Sequence, residues 1–202
     1  MKTLIYLASA FFLLQSCNNS TVVEDYSKEV DAGKFDGTNY SCEELGWSMN
    51  FPKQIIITTK ESLISADERS KDLSETSKNT SSLKRLLAFQ YNMENSFQST
   101  MEKYEGTEAD FEKRVKDIHV MIYDNYLNQR TGIDSLGTEV TISGQKLQRY
   151  AIKLYDKNGK QTSSQLLYNG LINGYFTSFI MSFTNDEFGM EMEKLFRKSE
   201  FK

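Results

Sequence analysis

The chain has 202 residues, with 24 Lys plus Arg against 28 Asp plus Glu, one Pro, one His and two Cys. That length suits a single domain, and a hydrophobic share of 39% with 13 Phe and 11 Tyr excludes wholesale disorder. The lone Pro excludes collagen-like and proline-rich designs, and so few His and Cys leave almost nothing for zinc, haem or a paired thiol and imidazole.

Lys2 precedes an apolar run from Leu4 to Leu14, broken only by Ser9 and followed by Gln15-Ser16-Cys17. This is the three-part layout of an export signal. At about 1.5 Å per residue the run covers about half of a ~30 Å hydrocarbon core, too little for a stable span. Leu14-Gln15-Ser16-Cys17 resembles the lipobox of bacterial lipoproteins, although Gln15 stands where a small or branched residue is commoner. The resemblance implies that residues 1–16 are removed as a signal peptide and that Cys17 is the lipid-anchor residue, held to a membrane of the cell envelope by acyl chains. Several chains on one residue give lasting attachment, because each buried methylene contributes ~0.8 kcal/mol.

Residues 18–44 hold seven acidic groups against two basic ones, with no helical or strand periodicity. They read as a hydrated spacer, or alternatively as a sorting address for the outer face of the cell. The expected organisation is therefore a signal peptide over 1–16, an acylated Cys17 and acidic tether over 17–45, and one globular domain over 46–202. Residues 45–202 carry 21 charges of each sign, so a nucleic-acid partner, which needs a basic excess, is not expected. Within the spacer, Cys42 is left without a partner for an internal disulfide. The carboxylates of Glu43 and Glu44 are expected to raise its pKa and keep it inert, the alternative being a redox or intermolecular thiol.

Trp47, Met49 and Phe51 alternate with polar residues before Pro52, which predicts a strand with one buried face. Gln54–Thr59 follows as a second strand or its continuation, and the polar stretch Ser65–Ser82 as a loop with a frayed helix. Leu86–Tyr91 and Phe97–Tyr104 flank a hairpin turn at Asn92-Met93-Glu94-Asn95, with Phe97 and Met101 facing inward. From Thr107 to Gln129 the apolar residues Phe111, Val115, Ile118, Ile122 and Tyr126 form a helical stripe, with Thr107 as cap and Asp110 three residues on. Leu147–Tyr155 and Gln161–Asn169 surround Asn158-Gly159, the preferred centre of a type I′ turn. That centring places Tyr150 opposite Leu167 and sends Arg149 and Lys153 to the other face, with Tyr168 and Ser164 opposite them. Tyr175–Phe183 is apolar on both parities, as a central strand covered on both sides should be. A final helix follows Asn185 with Phe188, Met192 and Leu195 inward.

Gly46-Trp47-Ser48-Met49-Asn50-Phe51-Pro52 resembles the opening strand of PsbP-like domains. Gly174-Tyr175-Phe176 through Ser182-Phe183, Glu187–Phe196 and Ser199-Glu200-Phe201 resemble their closing strand, helix and short last strand. The resemblance covers residues 46–201 and implies an α+β fold, an antiparallel β-sheet sandwiched by α-helices. Members of that family include an extrinsic photosystem subunit, a nuclear-import factor and bacterial envelope lipoproteins, so the fold implies no single activity.

Few residues are arranged for chemistry. His119 is flanked one turn away by Val115 and Tyr123, neither of which orients a nucleophile. Asp156-Lys157-Asn158-Gly159 is only a fragment of a calcium loop, and Asn169–Gly174 lacks the lysine of a phosphate loop and leads into a strand. Asp110, Glu112, Asp117 and Asp124 share their helix with Lys113, Arg114 and Lys116, the pattern of a solvated face. No catalytic residue, cofactor or metal ligand is expected. The leading expectation is an exported, lipid-anchored protein with a non-enzymatic role in binding a protein partner or an assembly. A small-molecule or lipid carrier is the alternative, and a hydrolase built on His119 ranks below both.

Overall fold

The structure, a computed structural model, describes residues 26–64, 83–128 and 132–202. The expected signal peptide, Cys17 and the polar stretch Ser65–Ser82 lie outside them.

A 3-10 turn at Tyr26–Glu29 leads into β1 (Lys34–Asp36), β2 (Asn39–Cys42) and β3 (Trp47–Asn50). Then come β4 (Ile56–Ile57), β5 (Lys84–Asn92), β6 (Asn95–Lys103), helix α1 (Glu108–Leu127), β7 (Gly132–Ile142), β8 (Gln145–Tyr155), β9 (Gln161–Ile172) and β10 (Tyr175–Phe183). Helix α2 (Asp186–Arg197) and β11 (Glu200–Phe201) complete the order. The strands form a seven-stranded antiparallel sheet, β4-β5-β6-β10-β9-β8-β7, and a four-stranded one, β1-β2-β3-β11. The α+β class is as expected. One face of the large sheet carries α1, while the other carries α2 together with the small sheet.

The small sheet corrects the tether. From Tyr26 to Leu45 the acidic segment folds with the domain, and Tyr40, Cys42 and Leu45 are buried. Its apolar residues are sparse, but Tyr40 pairs with Met49 and Cys42 with Trp47, so each is spent on the core. Its acids meet cations elsewhere: Asp31 pairs with Lys60 and Arg85, and Glu44 with Lys84. β4 is likewise no continuation of β3, because it pairs with β5 in the other sheet.

Trp47 sits at the junction of the sheets, its ring 5.3 Å from Tyr40 and 5.0 Å from Phe179. Phe179 belongs to β10, the middle strand, and lies 4.6 Å from Phe196 of α2. A Cβ on Gly189 would stand 2.4 Å from the Phe183 ring, so glycine is what lets α2 approach the sheet. On the opposite face the α1 stripe packs as expected. Phe111 and Val115 meet Phe176, and Ile118, Ile122 and Tyr126 cover Tyr150, Ile152, Leu154 and Leu167. Thr107 and Asp110 form a reciprocal capping box at its start.

The β8–β9 register is the expected one, with Tyr150 opposite Leu167 and Arg149 opposite Tyr168, but the turn is not. Only Gly159 takes positive φ there, and Asp156 Oδ1 accepts from the backbone N–H groups of Asn158 and Lys160. A register shift between Leu154 and Tyr155 absorbs the longer loop. Paired positive φ, as a type I′ turn requires, occurs instead at Ser143-Gly144 and Asn173-Gly174.

Candidate functional site

β8 alternates its side chains between the two faces of the large sheet, so the elements that pack Tyr150 and Ile152 beneath α1 send Arg149, Ala151 and Lys153 toward α2. Between α2 and these strands runs an open groove of about 270 Å³. Ala151, Leu166, Phe183 and Met190 make it apolar, and Arg149 and Lys153 line it as cations.

At one end of the groove Glu193 Oε1 accepts from Arg149 Nε at 3.1 Å and from Arg197 Nε and Nη2 at 3.1 and 2.9 Å. The Tyr168 hydroxyl donates to the same oxygen at 2.5 Å. Burial alone would raise the Glu193 pKa, but the donors Tyr168, Arg197 and Arg149 outweigh it and hold the carboxyl below its ordinary range. Burial and Glu193 push the Tyr168 phenol up to about 12, so it stays a donor. This cluster was not singled out in the sequence, although the β8–β9 register already places Arg149 opposite Tyr168. Glu193 joins them only through the packing of α2.

A second margin lies beside the groove. β7 is bonded to β8 in unbroken register from Gly132↔Tyr155 to Ile142↔Gln145, and no other described strand pairs with it. Leu136, opposite Ala151, is 61% exposed. β7 was not expected, because its polar and apolar residues alternate weakly and neither face is deeply buried.

His119 stacks on Tyr150, ring centroids 4.1 Å apart and planes within 10°, and its buried Nε2 has no hydrogen-bond partner among the described residues. Burial lowers its pKa. Among the described residues no hydroxyl, thiol or carboxylate is hydrogen-bonded to that Nε2, as a hydrolase built on this imidazole would require. Cys42 is buried at 1% exposure. Burial first, and Glu44 after it, push the thiol up to about 11, which keeps it protonated at neutral pH. Asp110 serves the cap, and Glu112, Asp117 and Asp124 are exposed along α1. Among the described residues no cluster of three or more His, Cys, Asp or Glu could hold a metal, and no helix is long and apolar enough to cross a membrane.

No protein-family model matches the chain, and neither does any curated protein. Among solved structures, the chain is similar to the solution structure of cyanobacterial PsbP (CyanoP) from Synechocystis sp. PCC 6803, with a TM-score of 0.53 and 9% sequence identity. The match covers 94% of this chain and 99% of that one. At this identity the likeness establishes a shared fold.

Proposed function

We propose that the protein is an exported lipoprotein anchored through Cys17, with a non-enzymatic binding role, and that its domain recruits a protein partner along the free edge of β7. The observation that carries this reading is the edge itself: eleven residues whose outer backbone groups meet no described strand. Such an edge is a template for strand addition. The usual devices that blunt one are absent from β7, which has no Pro, no Lys and no bulge. Its only charges are Asp134 and Glu139, so an added strand bearing Lys or Arg complements it. The export-signal layout of Lys2 and Leu4–Leu14 and the lipobox-like Leu14-Gln15-Ser16-Cys17 that ends it support the anchored setting.

Crosslinking in intact cells followed by mass spectrometry tests the partner. A discrete crosslinked protein should appear with the native chain and disappear with the double variant Leu136→Lys/Thr138→Lys. Equal yield from both, or no partner at all, contradicts the reading. Incorporation of a fatty-acid analogue tests the anchor, and label must be lost in Cys17→Ser. A second reading, binding of a small molecule, draws on the groove under α2.

A further inference from the structure

The groove between α2 and β8–β9 is mostly apolar on its floor and charged on its rim, and the state of those charges narrows what it can hold. Arg149 is only 18% exposed in its side chain, and its Nε is spent on Tyr168, at 3.0 Å, and on Glu193. Its two terminal nitrogens donate no hydrogen bond to the described residues, and the residue lines the groove. Glu193 pairs with Arg149 through Nε alone, and it is shared with Arg197, so the cluster sets two guanidinium charges against one carboxylate. Lys153, four residues along β8 on the same face, lies about 13 Å away at roughly 3.3 Å per residue and has no ion-pair partner among the described residues. Asp186, the acidic lining residue at that end, accepts from Gln161 Nε2. Between the cations lie Ala151, Leu166, Phe183 and Met190, the last 64% exposed.

A guanidinium fixed at one nitrogen and open at the other two is a fork for a carboxylate. The adjoining floor is mostly apolar, and at about 270 Å³ the groove is too small to take a folded element. We infer that this groove binds an aliphatic carboxylate of small size, with its carboxylate on the terminal nitrogens of Arg149 and its chain along Ala151, Leu166 and Phe183 toward Met190. The inference rests on the small-molecule reading above and is independent of Cys17 and of the β7 edge.

The test is an NMR titration of the purified protein with octanoate, alongside octanol and octylamine at the same concentrations. Octanoate should shift the amides of residues 149–153 and 189–193 in a saturable way, while octanol and octylamine bind at least about tenfold more weakly. Arg149→Gln should weaken octanoate by about tenfold or more with its melting transition retained. Because that change also removes a donor from Glu193, Ala151→Leu serves as a second probe: it fills the floor, leaves the charged cluster intact, and should abolish the shifts. Octanol matching octanoate, shifts that map elsewhere, or octanoate binding that persists in folded Ala151→Leu would each overturn the inference. So would silence toward octanoate combined with the same shifts from an acidic hexapeptide, which would make the groove a peptide site. Loss of the β7 crosslink has no bearing on these outcomes.

Discussion

The two margins of the seven-stranded sheet are finished in opposite ways. At the β4 margin the paired strand is two residues long, and the N-terminal segment folds across beside it. The Asp31 N–H donates to the Arg85 carbonyl at 2.8 Å, its carboxylate accepts from the Arg85 N–H at 2.9 Å and from Lys60 Nζ, and Thr58 bonds back to Ala88. At the β7 margin an eleven-residue strand is bonded on one side only. One edge is closed by the protein's own chain, which satisfies its backbone and spends charge on holding it there. The other leaves its outer backbone groups without a described strand beside them.

The contrast can be broken from the closed side first. Trp47→Ala removes the ring that joins the small sheet to Phe179, and should cost about 3–5 kcal/mol by chemical denaturation. Asp31→Ala removes the acceptor of the Arg85 N–H and the carboxylate that Lys60 pairs with, for an expected loss of about 1–3 kcal/mol. Burial works against the Asp31 charge, but the hydrogen bonds from Lys60 and Arg85 prevail and hold its pKa below the ordinary aspartate range. Its stabilisation is therefore fully present above the unfolded value and is lost as pH falls through the lower folded one. Asp31→Asn should flatten the acid limb of a stability–pH curve, and an unchanged limb would show that Asp31 does not close that margin.

Smaller effects sharpen the open side. Thr107→Ala loosens the start of α1, the helix beneath which β7 and β8 lie, and should lower stability by about 1 kcal/mol through loss of the capping box. Leu136→Lys/Thr138→Lys alters exposed side chains, so stability should move by no more than about 0.5 kcal/mol while partner capture is lost. A large destabilisation would mean that β7 is a structural element rather than a spare edge.

How much of this was legible beforehand depended on local signal. The α1 stripe, its cap, the β5–β6 hairpin and β10 announced themselves, because period and turn chemistry coincide there. The β8–β9 register came out right although the turn did not: a five-residue loop and a compensating shift after Leu154 reproduce the pairing that a tight turn would give. β1 and β2 were hidden because their apolar residues are few: β2 is a strand through its pairing with Trp47 and Met49 of β3, and β1 through its pairing with β2. β7 was hidden for the opposite reason, since an edge with little buried surface has little need of alternation. The Arg149–Tyr168–Glu193 cluster was half visible, through register, and half not, because α2 brings Glu193 from far along the chain.

The most direct measurement places a photo-crosslinking amino acid at Thr138 on β7 and, in a separate strain, at Met93, 93% exposed at the turn between β5 and β6. Irradiation of intact cells should capture one discrete protein from position 138 and none from position 93. Capture of the same protein with equal yield from both positions, or from position 93 alone, would contradict the assignment of β7 as the partner-binding edge.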